Sequence, residues 1–233
     1  MNQSLHQIYS AGGAYMDVAQ RNRVLRNTYL LLALSMLPTI AGIWMGVSMK
    51  FNLFQSLGML GGVLVFFGVF YGLVFMIEKF KDSGMGVLLM LGLTFFLGLM
   101  MSALIGRTLQ FKNGAALLTM AAGGTAAILV VMASIATVSK RDFSGIGRWA
   151  FIGMLVVIVL GLLNAFFFQQ PVLVMALSAM MILLSSMMLL YTVNQIVNGG
   201  ETNYITAALS IYISLYNIFS NLLSLLGIFG GED

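Results

Sequence analysis

The chain has 233 residues, 60% of them apolar and 8% charged, and eleven Lys and Arg against seven Asp and Glu leave a formal net charge of +4. A soluble domain carries about 25% charged residues, so a water-facing globular fold is excluded, whereas a mean hydropathy of +1.00 fits a surface turned to hydrocarbon. The absence of cysteine excludes structural disulfides and thiolate metal or redox sites.

In chain order, residues 1–26 come first, rich in Asn, Gln, Ser, Gly, Asp and Arg. They hold too little apolar surface to offset the entropy of ordering, which predicts a flexible cytoplasmic tail carrying His6 and the basic trio Arg21, Arg23 and Arg26. Seven apolar runs of about 20 residues follow. The first, 29–47, trails three arginines as a signal peptide would, but its length and the lack of a small-residue cleavage site mark an uncleaved span. The second, 57–77, holds Gly58 and Gly62, then Gly68 and Gly72, each pair four apart, which predicts close approach of a neighbouring helix of the bundle. The others are 85–105, 115–138, 149–168, 172–197 and 204–228, joined by connections too short for a soluble domain. A β-barrel needs alternating segments of about ten residues, and these Leu-, Met- and Gly-rich runs are continuous. The expected fold is all-α, a seven transmembrane helix bundle over 27–229, with a short C-terminal tail at 230–233.

Orientation follows from the cations. Arg21, Arg23, Arg26, Lys79, Lys81, Lys140, Arg141 and Arg148 fall on one side, while Lys50, Arg107 and Lys112 share the other with Glu232 and Asp233. The N-terminus is expected in the cytoplasm and the C-terminus outside. Scattered over loops, these cations suit contact with anionic lipid headgroups and not with nucleic acid.

Little catalytic chemistry is available. There is no His-Glu-x-x-His, no intramembrane aspartate pair, no Gly-x-Ser-x-Gly, no P-loop and no dinucleotide fingerprint. Phe143-Ser144-Gly145 has no general base in the spans, so no enzymatic activity, catalytic residue, metal or cofactor is expected. The nineteen methionines read as flexible apolar filling. The informative residues are polar ones in the last two spans. Asn203, Ser210, Ser214, Asn217, Asn221 and Ser224 share one face of the seventh; in the sixth, Ser178, Ser185 and Thr192 recur every seven residues, with Ser186, Asn194 and Gln195 alongside. Polar groups in hydrocarbon cost free energy unless paired. These faces are therefore expected to turn toward one another or toward trapped water, as interhelical hydrogen bonds, a hydrated path or a regulated closure.

The run Ile211-Tyr212-Ile213-Ser214-Leu215-Tyr216-Asn217-Ile218-Phe219, followed by Leu222-Leu223 and Leu226-Gly227, resembles the final helix of the Bax inhibitor-1 family. Val24-Leu25-Arg26-Asn27-Thr28-Tyr29, Gly123-Gly124-Thr125 and Asn198-Gly199-Gly200-Glu201-Thr202-Asn203-Tyr204 resemble its YccA-like branch in Gram-negative bacteria, and the likeness runs from about Arg23 to Gly227. The resemblance implies a multi-pass inner-membrane protein that modulates, and is a slow substrate of, the ATP-dependent protease FtsH, in association with the HflK and HflC complex. It further implies that the protease engages the N-terminal tail. The wider family implies a pH-sensitive leak of calcium or other cations governed by two aspartates on the last two helices. Here Thr192 and Ser214 stand at those positions; neither titrates, so acid switching is put in doubt.

Overall fold

The computed structural model describes residues 18–139 and 141–231, and they form seven long helices. These are α1 (Val18–Ser48), α2 (Leu53–Lys79), α3 (Gly84–Thr108), α4 (Gly114–Val138), α5 (Ser144–Leu163), α6 (Pro171–Asn198) and α7 (Tyr204–Gly230). Each is long and apolar enough to cross a membrane, and no strand occurs among the described residues. The outer surface is correspondingly apolar, with Leu37, Trp44, Leu64, Phe75, Leu88, Val130 and Val172 exposed.

Local chemistry sets the helix ends. Asn52 caps α2 by accepting from the Gln55 amide, and Pro171 opens α6, where its missing N–H costs nothing. Gly199, at φ 79°, ends α6 in the left-handed conformation that glycine adopts without strain. A single π turn, Asn164–Phe168, closes α5, and the buried Asn164 carboxamide both accepts from the Gln170 amide and donates to its carbonyl.

Two boundaries depart from the sequence reading. Helix α1 begins at Val18, so the limit drawn at residue 26 falls inside a helix. Its first turns are held by partners remote in sequence: Val24 is buried, and the Arg21 guanidinium donates to the Val197 carbonyl at 3.2 Å, at the negative end of α6. Residues 1–17, with His6, lie outside the described residues, as do Lys140, Glu232 and Asp233. The helix α2 is broken at Gly58 (φ 71°), which sets Leu53–Leu57 apart from the rest.

Helix α7 occupies the centre and packs on α1, α3, α4 and α6, while α1 runs along α3 and α5 leans on α6. The main core gathers Leu31, Leu32, Met90, Leu93, Leu97, Leu189, Val193, Ile211 and Tyr212; a smaller one, Met101, Ile105, Leu117, Ala121 and Leu223, fills the other end. The close approach expected at the α2 glycines is not made there. A Cβ on Gly58, Gly68 or Gly72 would meet nothing, and on Gly62 its nearest neighbours would be atoms of Phe54 of its own helix. The tight pair is α1 with α3, where a Cβ on Gly98 would collide with the Thr39 carbonyl and one on Gly42 with that of Phe95. Four-residue glycine spacing permits close packing but does not choose the helix that uses it.

Candidate functional site

The polar stripes of α6 and α7 do turn inward. Ser185, Thr192, Asn194 and Ser214 are buried, and Ser210, Asn217 and Asn221 are half-buried. They do not bond to one another across the helices. Ser214 donates to the Ser210 carbonyl at 2.9 Å, Thr192 to Met188 at 2.9 Å and Ser186 to Ile182 at 2.7 Å; Asn221 Nδ2 likewise donates to the Asn217 carbonyl at 2.8 Å. Short hydroxyls reach the carbonyl one turn back and so satisfy their proton within their own helix. The expected interhelical bonding between α6 and α7 is therefore replaced, among the described residues, by local bonding. Ser185 is buried with its hydroxyl unpaired. Thr192 and Ser214 present lone pairs and no titrating group.

Tyr212 of α7 does bond across the centre, its hydroxyl lying beside Thr39 of α1 and 3.4 Å from the Thr94 carbonyl of α3. Thr39 of α1 donates to the Ser35 carbonyl at 2.7 Å, which leaves its oxygen free to accept from the Tyr212 hydroxyl of α7, also at 2.7 Å. Sequence reasoning passed over this pair, because a lone Thr and a lone Tyr on separate spans carry no spacing signal.

The densest polar arrangement lies at the end of the bundle where α1 starts. Asn194 Nδ2 donates to the carbonyls of Arg141 (3.3 Å) and Ala136 (3.5 Å), and its Oδ1 accepts from the Phe143 amide and from Asn198 Nδ2. Asn194 thus belongs to a staple between α6 and the α4–α5 connection, and Gln195 extends it by donating to the Ser144 hydroxyl at 3.0 Å. Ser144 in turn donates its amide and hydroxyl to Asp142, and those two bonds hold the Asp142 carboxyl below the usual carboxylate range.

The Gly-Gly-Glu-Thr-Asn-Tyr motif serves the same end. Gly199 and Gly200 turn the chain over the Gln195 side chain, Glu201 accepts from the Asn203 amide at 2.8 Å, and Thr202 is exposed. Asn203 uses its whole carboxamide: Oδ1 caps α7 through the Ile205 and Thr206 amides, and Nδ2 donates to the Lys81 carbonyl (3.0 Å) and to Asp82 Oδ1 (2.8 Å). Tyr204 then packs against the main core. Nearby, Lys81 pairs with Glu78, which raises the lysine above its ordinary value. Of the basic trio, Arg21 is tied to α6, while Arg23 and Arg26 are exposed on the first turns of α1.

Residues 21–231 match the family described as Inhibitor of apoptosis-promoting Bax1. The chain belongs to the Bax inhibitor-1 family. Among its relatives, an uncharacterized protein of Neisseria meningitidis is 36% identical over 214 residues, spanning 91% of this chain and 94% of that protein. A protein of Escherichia coli K12 named Modulator of FtsH protease YccA is 33% identical over 229 residues, spanning 98% of this chain and 100% of that protein. Its counterpart in Escherichia coli O6:H1, equally similar, is named Inner membrane protein YccA. The resemblance read from the last helix and the Gly-Gly-Glu-Thr-Asn-Tyr turn is thus a family membership that spans all seven helices. In this Bax inhibitor-1 chain the motif does mechanical work, locking the α2–α3 connection to the start of the central helix.

Proposed function

We propose that this chain is a non-enzymatic, multi-pass inner-membrane protein that binds an FtsH-type ATP-dependent protease and slows it by being a substrate that resists extraction, in association with HflK and HflC. The observation that carries this reading is similarity over 98% of the chain to a relative named for modulating that protease. In this account the N-terminus is cytoplasmic and residues 1–17, with the exposed Arg23 and Arg26 beyond them, are the handle by which the protease takes hold.

Resistance has a structural basis. A motor pulling from the N-terminus must first remove α1, and α1 is seated on three neighbours: closely on α3 through Gly42 and Gly98, on α7 through Thr39 and Tyr212, and on the end of α6 through Arg21. Extraction also brings about 20 apolar residues into water, at about 1.5–3 kcal/mol for each large one. The proposed brake is therefore the first span.

Co-purification from native membranes, with the full chain and with residues 2–17 removed, tests the reading together with a degradation time course. The protease complex is expected with the full chain, and removal of the segment is expected to lengthen the chain's lifetime. No bound protease and unchanged turnover would sink it. The cation-leak reading stands second, because Ser210, Ser214 and Asn217 border a cavity lined by no charged side chain. A divalent ion there would meet neutral oxygens alone.

A further inference from the structure

A cavity of about 360 Å³ lies between α2, α5, α6 and α7. Its polar side belongs to α7. The Ser210 hydroxyl and the Asn217 carboxamide border the space and make no hydrogen bond with any described residue; the bonds at these positions go to their main-chain carbonyls. Another side is aromatic: Phe66, Phe67, Phe70 and Tyr71 of α2 form a continuous set of rings whose centroids lie 5.3–6.0 Å apart. The mouth faces sideways. Tyr71, Phe151 and Leu155, which line it, are 52%, 55% and 42% exposed, and α2 and α5 share no packed interface.

These features restrict what fits. A carboxamide without a partner at hydrocarbon depth is costly until something hydrogen-bonds it. The lining carries no charge to hold an ion. Stacked rings favour a flat, aromatic occupant, and a mouth opening on lipid admits molecules dissolved in the bilayer. We propose that the cavity binds an uncharged, ring-headed amphiphile of the alkylphenol or alkylated-quinone class. Its oxygen is hydrogen-bonded by Asn217 and Ser210, its ring lies along the α2 phenyl groups, and its alkyl tail leaves between α2 and α5. An acyl chain would cover the aromatic side and leave Asn217 unpaired; water would pair with Asn217 and wet the rings. This site is independent of the protease reading.

The test uses the full chain in phosphatidylcholine nanodiscs with two radiolabelled probes that differ by one hydroxyl, 4-octylphenol and octylbenzene, corrected for partition into empty discs. The phenol is expected to bind about tenfold more tightly than octylbenzene, the worth of one well-made hydrogen bond at about 1.4 kcal/mol. Asn217→Leu is expected to abolish that preference while octylbenzene still binds, Ser210→Ala to reduce it about threefold, and Leu155→Trp at the mouth to weaken both probes. Thermal unfolding shows which variants fold, and Ser210→Ala serves if Asn217→Leu does not. Equal affinity of the native chain for the two probes identifies a site for plain acyl chains and overturns the proposal. So does an absence of saturable binding, or a phenol preference untouched by both α7 substitutions.

Discussion

Tyr212 and Asn203 show how few polar side chains fix this bundle and how completely each is used. The Tyr212 hydroxyl meets the Thr39 oxygen at the centre of the molecule, so Tyr212→Phe, which preserves the ring, is expected to cost about 1 kcal/mol. Thermal unfolding in detergent reads that loss, and an unchanged midpoint would contradict it. Asn203→Ala removes a helix cap and two donors to the α2–α3 connection, for an expected loss of about 1–2 kcal/mol. Asn203→Asp should be worse than Asn203→Gln, because it sets a carboxylate against Asp82 in place of a donor. Asp142 supplies a pH dependence. Its carboxyl is held low by Ser144, so its contribution is complete above the unfolded value near 3.9 and fades as pH falls through the folded one. The advantage of the native chain over Asp142→Asn is expected to be constant from about pH 5 to 8 and to shrink below about pH 4.

At the scale of helices, length and continuous apolarity made all seven spans legible, because hydrocarbon demands about 20 apolar residues whatever the neighbours are. The start of α1 was not legible, since the buried Val24 and the Val197 carbonyl that hold it lie in or across the folded bundle. The inward direction of the α6 and α7 stripes was readable from spacing. Their partners were not, because Ser and Thr choose between a neighbour and their own preceding turn without changing the pattern. The glycines divide in the same way, and they can be tested as a set. Gly98→Val places atoms on the Thr39 carbonyl and is expected to destabilise by several kcal/mol and to speed degradation. Gly68→Ala and Gly72→Ala meet open space and are expected to be neutral or to stabilise by up to about 1 kcal/mol. The reverse order in a stability assay would contradict the packing of α1 on α3.

As a whole molecule, the protein seats the span nearest the N-terminus tightly on α3, and at the end where α1 starts Arg21 ties α1 to the end of α6, Asn194 ties α6 to the α4–α5 connection and Asn203 ties the start of α7 to the α2–α3 connection. That distribution suits a chain pulled from one end. It also fits a chain with Thr192 and Ser214 on the inward faces of its last two helices, since a brake needs packing and no titration. The most direct measurement is the turnover of a membrane substrate by a purified FtsH-type protease in vesicles, with increasing amounts of this chain. The account predicts a dose-dependent slowing of that substrate while the chain itself is consumed slowly, and a weaker effect for Gly98→Val. Unchanged substrate turnover at a severalfold excess of the chain would contradict it.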